Sequence, residues 1–463
     1  MPQGLIIAGT NSGCGKTTVS LGLMALLCRK GFAVAPFKVG PDYIDPGHHS
    51  RVCGRPSRNL DGWMLSKEYN TRCFEKGISG CDVAIVEGVM GLYDGFDGKT
   101  ENGSTAQMAK WLDLPVILVV NARSMARSGA ALVSGFENFD SDLRFAGVIF
   151  NNVGSPRHLT YLKEAMEGRV TMPCLGGILR TEDIEMPERH LGLVTDDEHG
   201  LAPERLNRLA DLMERSLDVD LLLEMMQSGI QKKSSQALRD RQIQANVRIG
   251  IARDRAFCFY YQDNLDILEK SGAELVYFSP MDDKTLPDNL DGLYLGGGYP
   301  EMFASQLSAN KSLRDAIKQA SDVGLPIYGE CGGFMYLCRE IKDFDGKIWP
   351  MTGCFSYRAE MLPRLRSLGY REVTLLNGTV IGSKGSVIRG HEFHYSKIDD
   401  TPGGETSYRV SPRSGETSAP EGYTVNRTLG SYIHLHFGSR PETGRDFVTA
   451  CAEYKKERTC HEA

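Results

Sequence analysis

The chain has 463 residues, of which 41% are hydrophobic and 24% are charged, and its formal net charge is −6. This length is too great for one ordinary core and predicts two or three domains. The mildly acidic balance argues against nucleic acid as the main partner. No apolar run approaches the roughly 20 residues that are needed to cross a bilayer.

The cysteines and the first residues indicate a compartment. The 12 cysteines form no C-x-x-C pair and show no zinc-finger spacing, so we expect reduced thiols. Residues Met1–Gly4 run directly into a strand-like segment, without the basic and apolar regions of a secretory leader. We therefore expect a cytoplasmic protein. A homodimer is a separate alternative that the sequence leaves open.

Short apolar runs alternate with amphipathic stretches through the first part of the chain. Helical patterns such as Thr17–Arg29 and Thr105–Leu112 separate the runs. Near-continuous apolar strands that alternate with helices are typical of a doubly wound parallel α/β sheet. The predicted strands are Leu5–Ala8, Ala33–Val39, Val83–Val86, Val116–Val120 and Val148–Phe150.

A glycine-rich loop, Gly9–Thr18, follows the first predicted strand and opens the first helix. Glycines let successive N–H groups point at phosphate oxygens, while the lysine reaches the outer phosphates and Thr17 binds Mg²⁺. The strict phosphate-loop spacing is missed by one position, because Thr10 stands where the first glycine is usually found. The Lys-Thr pair favours ATP with its metal over a dinucleotide. The predicted ATP contacts are Gly13, Gly15, Lys16, Thr17 and Thr18.

Polar side chains follow the second and third predicted strands, at the edge where such sheets bind ligands. Mg²⁺ takes one or two carboxylates beside phosphate oxygens and water, which predicts a metal site at Thr17, Glu87 and Asp45. The alternative is that some of these groups cap helices or pair with Arg51, Arg55 and Arg58. The predicted phosphate and substrate residues are Lys38, Asp42, Tyr43, Asp45, Asp94 and Asp97.

A charged, Gln- and Ser-rich stretch separates two α/β patterns. We predict a first domain at 1–225, a linker at 226–246 and a second domain at 247–463. The second alternation has predicted strands at Ile249–Ala252, Leu275–Phe278, Gly292–Leu295 and Pro326–Tyr328. The region 400–422 is rich in Pro, Gly, Ser and Thr and predicts exposed hairpins or a long loop.

The second domain contains a strand, a glycine-flanked turn and a helix around Cys331. Such an elbow exposes the thiol at a helix N-terminus, which predicts a lowered pKa and a nucleophilic role. His434 and His436 lie two residues apart and offer a base, on one face if they form a strand. Backbone N–H groups of Gly297 and Gly298 are candidates for an oxyanion hole. A zinc site at Gly390–Ser396 misses the H-E-x-x-H spacing by one residue.

These motifs together resemble the cobyrinic acid a,c-diamide synthase family over essentially the whole chain. The first domain is similar to dethiobiotin synthetase, which has the same shifted glycine in its phosphate loop. The second domain resembles the class I glutamine amidotransferases of the cobyric acid synthase branch. The segments that carry the resemblance are Lys38–Asp45, Glu87–Asp97, Leu295–Glu301, Glu330–Gly333, Gly390–Ser396 and Ser431–Phe437.

The resemblance implies roles for individual residues. Cys331 is the nucleophile. In the wider branch the catalytic histidine follows a Tyr–aliphatic pair, which selects His434, after Tyr432 and Ile433, over His436. Ordinary class I domains place a Glu two residues after that histidine, where this chain has His436, so the group that orients His434 stays open. The match to dethiobiotin synthetase implies that Asn151 holds the adenine, although Asn152 is adjacent.

The implied reaction is the amidation of the a and c carboxylates of cobyrinate in cobalamin biosynthesis. Cys331 releases ammonia from glutamine, with His434 moving protons, and ATP converts each carboxylate into an acyl phosphate that ammonia attacks. Lys16 and Lys38 offset the charge on the transferred phosphoryl group. The enzyme class is a carbon–nitrogen ligase with glutamine as nitrogen donor.

Several alternatives stay open at this point. Hydrogenobyrinate or nickel sirohydrochlorin are alternative substrates, and cobyric acid synthase is the nearest related enzyme. A partitioning-type switch ATPase predicts a second lysine early in the loop, where Asn11 and Ser12 stand. A glutamine-independent ligase with a decayed second domain is disfavoured by the intact Cys331 and His434.

Overall fold

A computed structural model describes residues 3–180, 202–227, 246–399, 406–412 and 421–462. The chain divides into two compact units, Met1–Ala237 and Leu238–Ala463. Most of the predicted linker 226–246 lies outside the described residues. Among the described helices, none combines the length and the apolar character that would span a membrane.

The N-terminal unit consists of a parallel sheet with helices between its strands. Its described strands are β1 Gln3–Gly9, β2 Val34–Val39, β3 Arg58–Leu60, β4 Val83–Glu87, β5 Val116–Asn121, β6 Phe145–Val153 and β7 Cys174–Leu179. Its described helices are α1 Lys16–Arg29, α2 Ile44–Cys53, α3 Lys67–Gly77, α4 Thr105–Leu112, α5 Arg127–Phe139, α6 Pro156–Met166, α7 Pro203–Ser216 and α8 Val219–Gln227.

The strand order of this sheet is β3-β2-β4-β1-β5-β6-β7. The central strands are buried throughout, as in β2 and β4, because helices cover both faces of a parallel sheet. The register sets Lys38 of β2 beside Glu87 of β4, and Glu87 beside Ile7 of β1. The carboxyl ends of β1, β2 and β4 therefore meet at one edge, where the phosphate loop also begins.

The C-terminal unit holds a mixed sheet and a small second sheet. Its described strands are β8 Val247–Ala252, β9 Ala273–Phe278, β10 Gly292–Leu295, β11 Ile327–Glu330, β12 Cys338–Lys342, β13 Ile348–Pro350, β14 Phe355–Met361, β15 Ser367–Leu375, β16 Val387–His394, β17 Ser396–Ile398, β18 Thr406–Pro412, β19 Glu421–Val425, β20 Thr428–Ser431 and β21 His434–Leu435. Its described helices are α9 Gln262–Lys270, α10 Ala304–Ala309, α11 Lys311–Asp322, α12 Gly332–Leu337 and α13 Glu442–Glu462, with a 3₁₀ turn at Phe437–Ser439.

The large sheet has the order β21-β16-β15-β18-β19-β20-β11-β10-β8-β9. Its parallel part, β20-β11-β10-β8-β9, places the end of β11 beside β20, with Glu330 opposite Ser431. The antiparallel pair β16 and β21 sets His391 opposite His434. Two different strand pairings therefore bring the elbow at Cys331 and the histidine segment to one end of the sheet.

The predicted α/β class with a phosphate-loop domain and an amidotransferase-like domain is confirmed. All nine predicted strands correspond to described strands. The sequence prediction missed β3 and β7 at the two edges of the first sheet, and the strands β12 to β20 of the second unit. In the region 400–422, residues 406–412 form a sheet strand rather than a loop, while 400–405 and 413–420 lie outside the described residues.

Candidate functional sites

The loop after β1 has the conformation of a phosphate-binding loop. Gly13 and Gly15 have φ values of 79° and 102°, in the left-handed region that favours glycine. A Cβ atom at Gly15 would also lie 2.0 Å from the Asn151 amide nitrogen. Lys16, buried on the first turn of α1, donates to the carbonyls of Asn11 and Met90. These features fit the curled loop that cradles phosphate groups.

A cluster of buried charges lies at the edge formed by β2 and β4. The Lys38 ammonium is 2.6 Å from Asp45 Oδ2, 2.8 Å from Glu87 Oε1 and 3.8 Å from Asp42 Oδ2. Burial disfavours the charged lysine, but Asp45, Glu87 and Asp42 outweigh burial, so the pKa of Lys38 is raised. Lys38 is therefore held as a cation among carboxylates.

Glu87 joins this cluster to the phosphate loop. Its Oε1 accepts a hydrogen bond of 2.7 Å from Thr17 Oγ1, and its Oε2 lies 2.8 Å from His49 Nε2. Burial raises the pKa of Glu87, but Lys38 and His49 reverse this and the net shift is downward. The pKa of Lys16 is lowered, first by burial and also by Lys38. Removing any one partner would leave buried charge uncompensated.

The predicted metal residues separate into two groups. Thr17 and Glu87 are in direct contact, whereas Asp45 is buried against Lys38. Hydroxyl and carboxylate oxygens are the donors that Mg²⁺ prefers, so the pair Thr17 and Glu87 fits this ion. Within the described residues, no group of three or more His, Cys, Asp and Glu side chains is arranged to hold a metal.

The other predicted substrate residues occupy more local positions. Asp42 accepts from the N–H groups of Ile44 and Asp45 at the start of α2, where Tyr43 is the N-cap residue. The exposed Asp94 accepts from Gly91 N at 2.9 Å. Asp97 Oδ1 accepts from the N–H groups of Lys99 and Thr100, two and three residues further along the chain. The helix-capping and turn-closing alternative therefore describes Asp42 and Asp97, and only Asp42 also approaches Lys38.

Asn151 lies within β6 and contacts the phosphate loop. Its amide nitrogen donates to the Cys14 carbonyl at 3.0 Å. The neighbouring Asn152 has φ 56° and donates to Asn121 Oδ1. Asn151 thus supports the phosphate loop. Thr18, another predicted ATP contact, lies half-buried on the first turn of α1, directly after the loop. Adenine recognition by Asn151 stays a prediction.

Cys331 forms the predicted elbow between β11 and α12. Its φ of 47° and ψ of −104° are unusual for a residue with a side chain. The Cys331 N–H donates to Ser431 O at 2.7 Å, and a Cβ atom at Gly332 would lie 2.9 Å from Gly298 N. Residue 332 needs to be glycine because the loop that contains Gly298 passes so close to it.

The predicted lowering of the Cys331 pKa is wrong in this structure. Burial and then Glu301 raise the pKa of the thiol, and the Gly332 N–H offsets this only in part. The cause is that the short motif carries no information about the carboxylates and the apolar core that enclose it. A buried thiol of this kind needs a base that removes its proton as it attacks.

His434 lies against the glycine loop that also borders the elbow. A Cβ atom at Gly297 would lie 2.3 Å from His434 Cε1, and the imidazole stacks on His391 with ring centroids 4.9 Å apart. Burial lowers the pKa of His434 to about 3. The ring is therefore neutral at physiological pH, in the form that accepts a proton.

The other histidines of the region are engaged elsewhere. His436 accepts from Gly438 N through Nδ1 and packs against the Tyr261 ring, with centroids 4.4 Å apart. Both nitrogens of His394 face acceptors, Glu392 Oε1 at 2.7 Å and the Ser396 carbonyl at 2.8 Å. These contacts agree with His434 as the proton acceptor. They also give the histidines of Gly390–Ser396 hydrogen-bonding roles rather than a shared metal.

The predicted oxyanion residues differ in their hydrogen bonds. The Gly297 N–H donates to Phe259 O at 3.2 Å, within a reciprocal bridge between these two residues. Gly297 is thus already committed as a donor, which removes it from the predicted pair. Gly298, with φ 156°, is packed against Ala256 O and Gly332, so its backbone stays in place for the role.

Two side chains that sequence analysis did not single out prove central. His49 pairs with Glu87 from α2, and Glu330 lies beneath the elbow, hydrogen-bonded to Tyr294 and Tyr328. For Glu330 the signal was its place directly before Cys331. His49 had no signal, because its partner is 38 residues away and only the sheet brings them together.

Comparison with known proteins agrees with this division into two sites. Residues 5–194 match the CobQ/CobB/MinD/ParA nucleotide binding domain, and residues 248–442 match the CobB/CobQ-like glutamine amidotransferase domain.

Three relatives match over almost their full length, and each is called a cobyrinate a,c-diamide synthase. The protein of Syntrophotalea carbinolica is 47% identical, over 96% of this chain and 98% of its own. The protein of Dehalococcoides mccartyi is 42% identical and that of a Synechococcus strain is 44% identical, each over 97% of this chain and 98% of its own.

Proposed function

This chain belongs to the cobyrinate a,c-diamide synthase family, and we propose that it amidates the a and c carboxylates of cobyrinate. The chain is a glutamine-dependent amidotransferase ligase of cobalamin biosynthesis. The observation that carries the proposal is that one chain contains both a phosphate loop linked to Lys38 and Glu87, and a cysteine elbow that borders the same glycine loop as His434.

We propose that the glutaminase reaction begins at Cys331. His434 takes the thiol proton as Sγ attacks the glutamine carboxamide carbon, and the negative charge moves to the amide oxygen. The N–H groups of Gly298 and Gly332 stabilise that oxyanion. The C–N bond then breaks, His434 returns the proton to the leaving nitrogen, and ammonia departs. Water hydrolyses the remaining thioester to glutamate and restores the thiol.

The N-terminal unit activates the acceptor. A carboxylate oxygen of the substrate attacks the γ-phosphorus of ATP, and ADP leaves. Ammonia then attacks the acyl phosphate carbon and displaces phosphate, which gives the amide. Lys16 and Lys38 stabilise the negative charge on the transferred group, and Asp42, Tyr43 and Asp94 are the proposed substrate contacts. The cycle runs once for each of the two carboxylates.

Mg²⁺ is the proposed metal, held by Thr17 and Glu87. When bound, it neutralises charge on the phosphate oxygens. Asp45 is proposed to keep Lys38 in position rather than to bind the ion, because their 2.6 Å contact is buried on both sides. Thr17 orients Glu87 through the hydrogen bond already described.

We retain the division 1–225, 226–246 and 247–463 as the proposed domain boundaries. The two family matches, 5–194 and 248–442, fall within the outer segments. We also propose that the protein acts in the cytoplasm, since its twelve cysteines show no C-x-x-C or zinc-finger spacing in the sequence.

The test is a purified-protein assay with glutamine, Mg²⁺-ATP and cobyrinate. We expect release of glutamate and ADP and a corrinoid product that mass spectrometry identifies as the diamide. Hydrogenobyrinate and nickel sirohydrochlorin are tested in parallel. Turnover of one of these instead of cobyrinate would move the substrate assignment, and the absence of glutaminase activity with every substrate would overturn the mechanism.

A further inference from the structure

We propose that Glu330 is the positioning residue for His434, and that it supplies the carboxylate that this chain lacks two residues after the histidine. The inference rests on the proposed roles of Cys331 and His434. It assigns a function to a side chain that lies immediately before the nucleophile in sequence but approaches the histidine from a different strand.

The carboxylate of Glu330 is close to the imidazole and both are buried. Glu330 Oε2 lies 3.9 Å from His434 Nδ1, with side-chain exposures of 1% and 3%. Glu330 ends β11, and β11 pairs with β20 so that Glu330 is opposite Ser431. Glu330 is therefore held by the pairing of β11 with β20, and His434 by the pairing of β21 with β16. Both residues lie in strands rather than in loops.

Three hydrogen bonds fix the carboxylate. Tyr328 OH donates to Oε1 at 2.6 Å, Tyr294 OH donates to Oε2 at 2.9 Å, and Leu435 N donates to Oε1 at 3.0 Å. The last donor belongs to the residue directly after His434. Glu330 thus contacts the histidine segment through its backbone and faces the imidazole with its other oxygen.

The neighbouring charged groups are committed to other partners. On β16, Glu392 is bound to Arg371 and His394, and His391 is bound to Tyr261 and stacked on the His434 ring. His436 has no carboxylate to offer. Against the effect of burial, Glu392 on β16 raises the pKa of His434, but its oxygens are bound to Arg371 and His394. Glu330 is the carboxylate that has an oxygen 3.9 Å from His434 Nδ1.

The chemical consequence follows from where charge develops. When the proton of Cys331 moves to His434, the imidazole becomes a cation in a buried site, and a carboxylate 3.9 Å away stabilises it. If Nδ1 faces Glu330, Nε2 is the nitrogen that exchanges the proton with Sγ and then with the leaving ammonia. Two tyrosine hydroxyls keep the carboxylate hydrogen-bonded throughout. Burial raises the pKa of Glu330 to about 7 and lowers that of His434. Both shifts come from burial, and an ionised Glu330 beside the ring acts against the second of them.

The test compares Glu330→Gln with Glu421→Gln in the full chain. Glu421 is a matched control because its pKa is likewise raised to about 7 by burial and it accepts from a backbone N–H, that of Tyr432, in the same segment. We expect Glu330→Gln to lower kcat for glutamine hydrolysis about 100-fold or more, with a small change in KM for glutamine. Its ammonium-supported amidation should equal that of the wild type, which also shows that the variant is folded.

The pH profile separates positioning from general disruption. The pKa of Glu330 is raised to about 7 by burial, so protonation of this carboxylate should give kcat/KM for glutaminase an acid limb near pH 7 in the wild type. Glu330→Gln should lack that limb. Glu330→Asp keeps the charge on a shorter side chain and should restore part of the rate with a limb near that of the wild type. This variant also decides the matter if Glu330→Gln fails to fold.

Three outcomes would overturn the inference: a Glu330→Gln rate no lower than that of Glu421→Gln, an acid limb near pH 7 that Glu330→Gln keeps, or a Glu330→Asp variant no better than Glu330→Gln. In each case the wild-type glutaminase would still depend on Cys331. If instead Cys331→Ala retains glutaminase activity, the proposed function itself fails, so the two failures are distinguishable.

Discussion

The phosphate site of the N-terminal unit is built from charges that neutralise one another, whereas the glutaminase site of the C-terminal unit is built around a thiol and an imidazole that burial keeps neutral. At the first site Lys38 contacts Asp45 and Glu87 within 2.8 Å, and its pKa is raised. At the second site the pKa of His434 falls to about 3 and that of Glu330 rises to about 7.

This difference suits the reactions that we propose. ATP and a polycarboxylate bring negative charge with them, so their site needs lysines that remain cations without the ligand. Glutamine brings a neutral amide, and charge appears only as the thiol attacks. A site whose thiol and imidazole start neutral then needs nearby groups, such as Gly298 N–H and Glu330, that stabilise charge when it forms.

The largest expected effect tests whether glutamine hydrolysis in the C-terminal unit can be removed without loss of the amidation reaction in the N-terminal unit. Cys331→Ala should reduce glutamine-supported amidation by on the order of 10⁴-fold or more, because the nucleophile is lost. Ammonium-supported amidation and the KM for ATP should be unchanged. Product formation from each nitrogen source measures the split, and Cys354→Ala, another buried cysteine of the same unit, is the control that should retain both activities. Equal loss with both nitrogen sources would show that the sites are not separate.

The next prediction tests the mutual neutralisation at the phosphate site. Lys38→Met should lower the free energy of unfolding by about 3–5 kcal/mol, because Asp45 and Glu87 would be left buried without their cation. Lys30→Met removes the same side chain from an exposed pair with Glu214, 2.6 Å apart, and should cost no more than about 1 kcal/mol. Denaturant unfolding of both variants measures the contrast, and equal costs would contradict it.

The third prediction tests whether burial in the C-terminal unit keeps the Glu421 carboxyl protonated up to near neutral pH. Burial raises the pKa of Glu421 to about 7 from an ordinary 4.5, so the folded state holds a proton that the unfolded chain has lost between these values. Wild-type stability that is present below pH 4.5 is therefore lost as pH rises through 7. Glu421→Gln should gain relative to the wild type between pH 4.5 and 8, by at most about 3 kcal/mol.

Unfolding at several pH values measures this difference. Asp315→Asn is the control, because that carboxylate is 60% exposed in a surface pair and should show little pH dependence relative to the wild type. A Glu421→Gln difference that stays constant with pH would mean that the buried carboxyl ionises as freely as an exposed one.

The parts of the fold that could be predicted are those with a strong local pattern. The apolar run Val83–Val86 became β4, Val83–Glu87, nearly residue for residue. The strand β3 has three residues and includes Arg58 and Asn59, and β7 contains two adjacent glycines, so neither shows a strand pattern. Their pairing with β2 and β6 is what makes them strands.

The same distinction holds for the sites. Lys38, Glu87 and Cys331 could be predicted because each stands at the end of an apolar strand, where parallel sheets present functional groups. His49 and Glu330 could not be assigned roles, because those depend on partners on other elements. The predicted Cys331 pKa was wrong for the same reason, since burial and distant carboxylates override the local motif.

The smallest expected effect concerns Asn151, which lies beside the phosphate loop of the charged N-terminal site. Asn151→Ala removes one hydrogen bond to the phosphate loop, that from its amide to Cys14 O, which is worth about 1 kcal/mol. The KM for ATP should rise about fivefold, while glutaminase activity is retained. Asn152→Gly is the control, because glycine keeps the left-handed backbone of that position, φ 56°. If Asn151 only supports the loop, the KM values for ATP and GTP rise by the same factor. If it also holds adenine, the KM for ATP rises by a larger factor than the KM for GTP. Asn151 would then bind the base as well as support the loop that binds the phosphates.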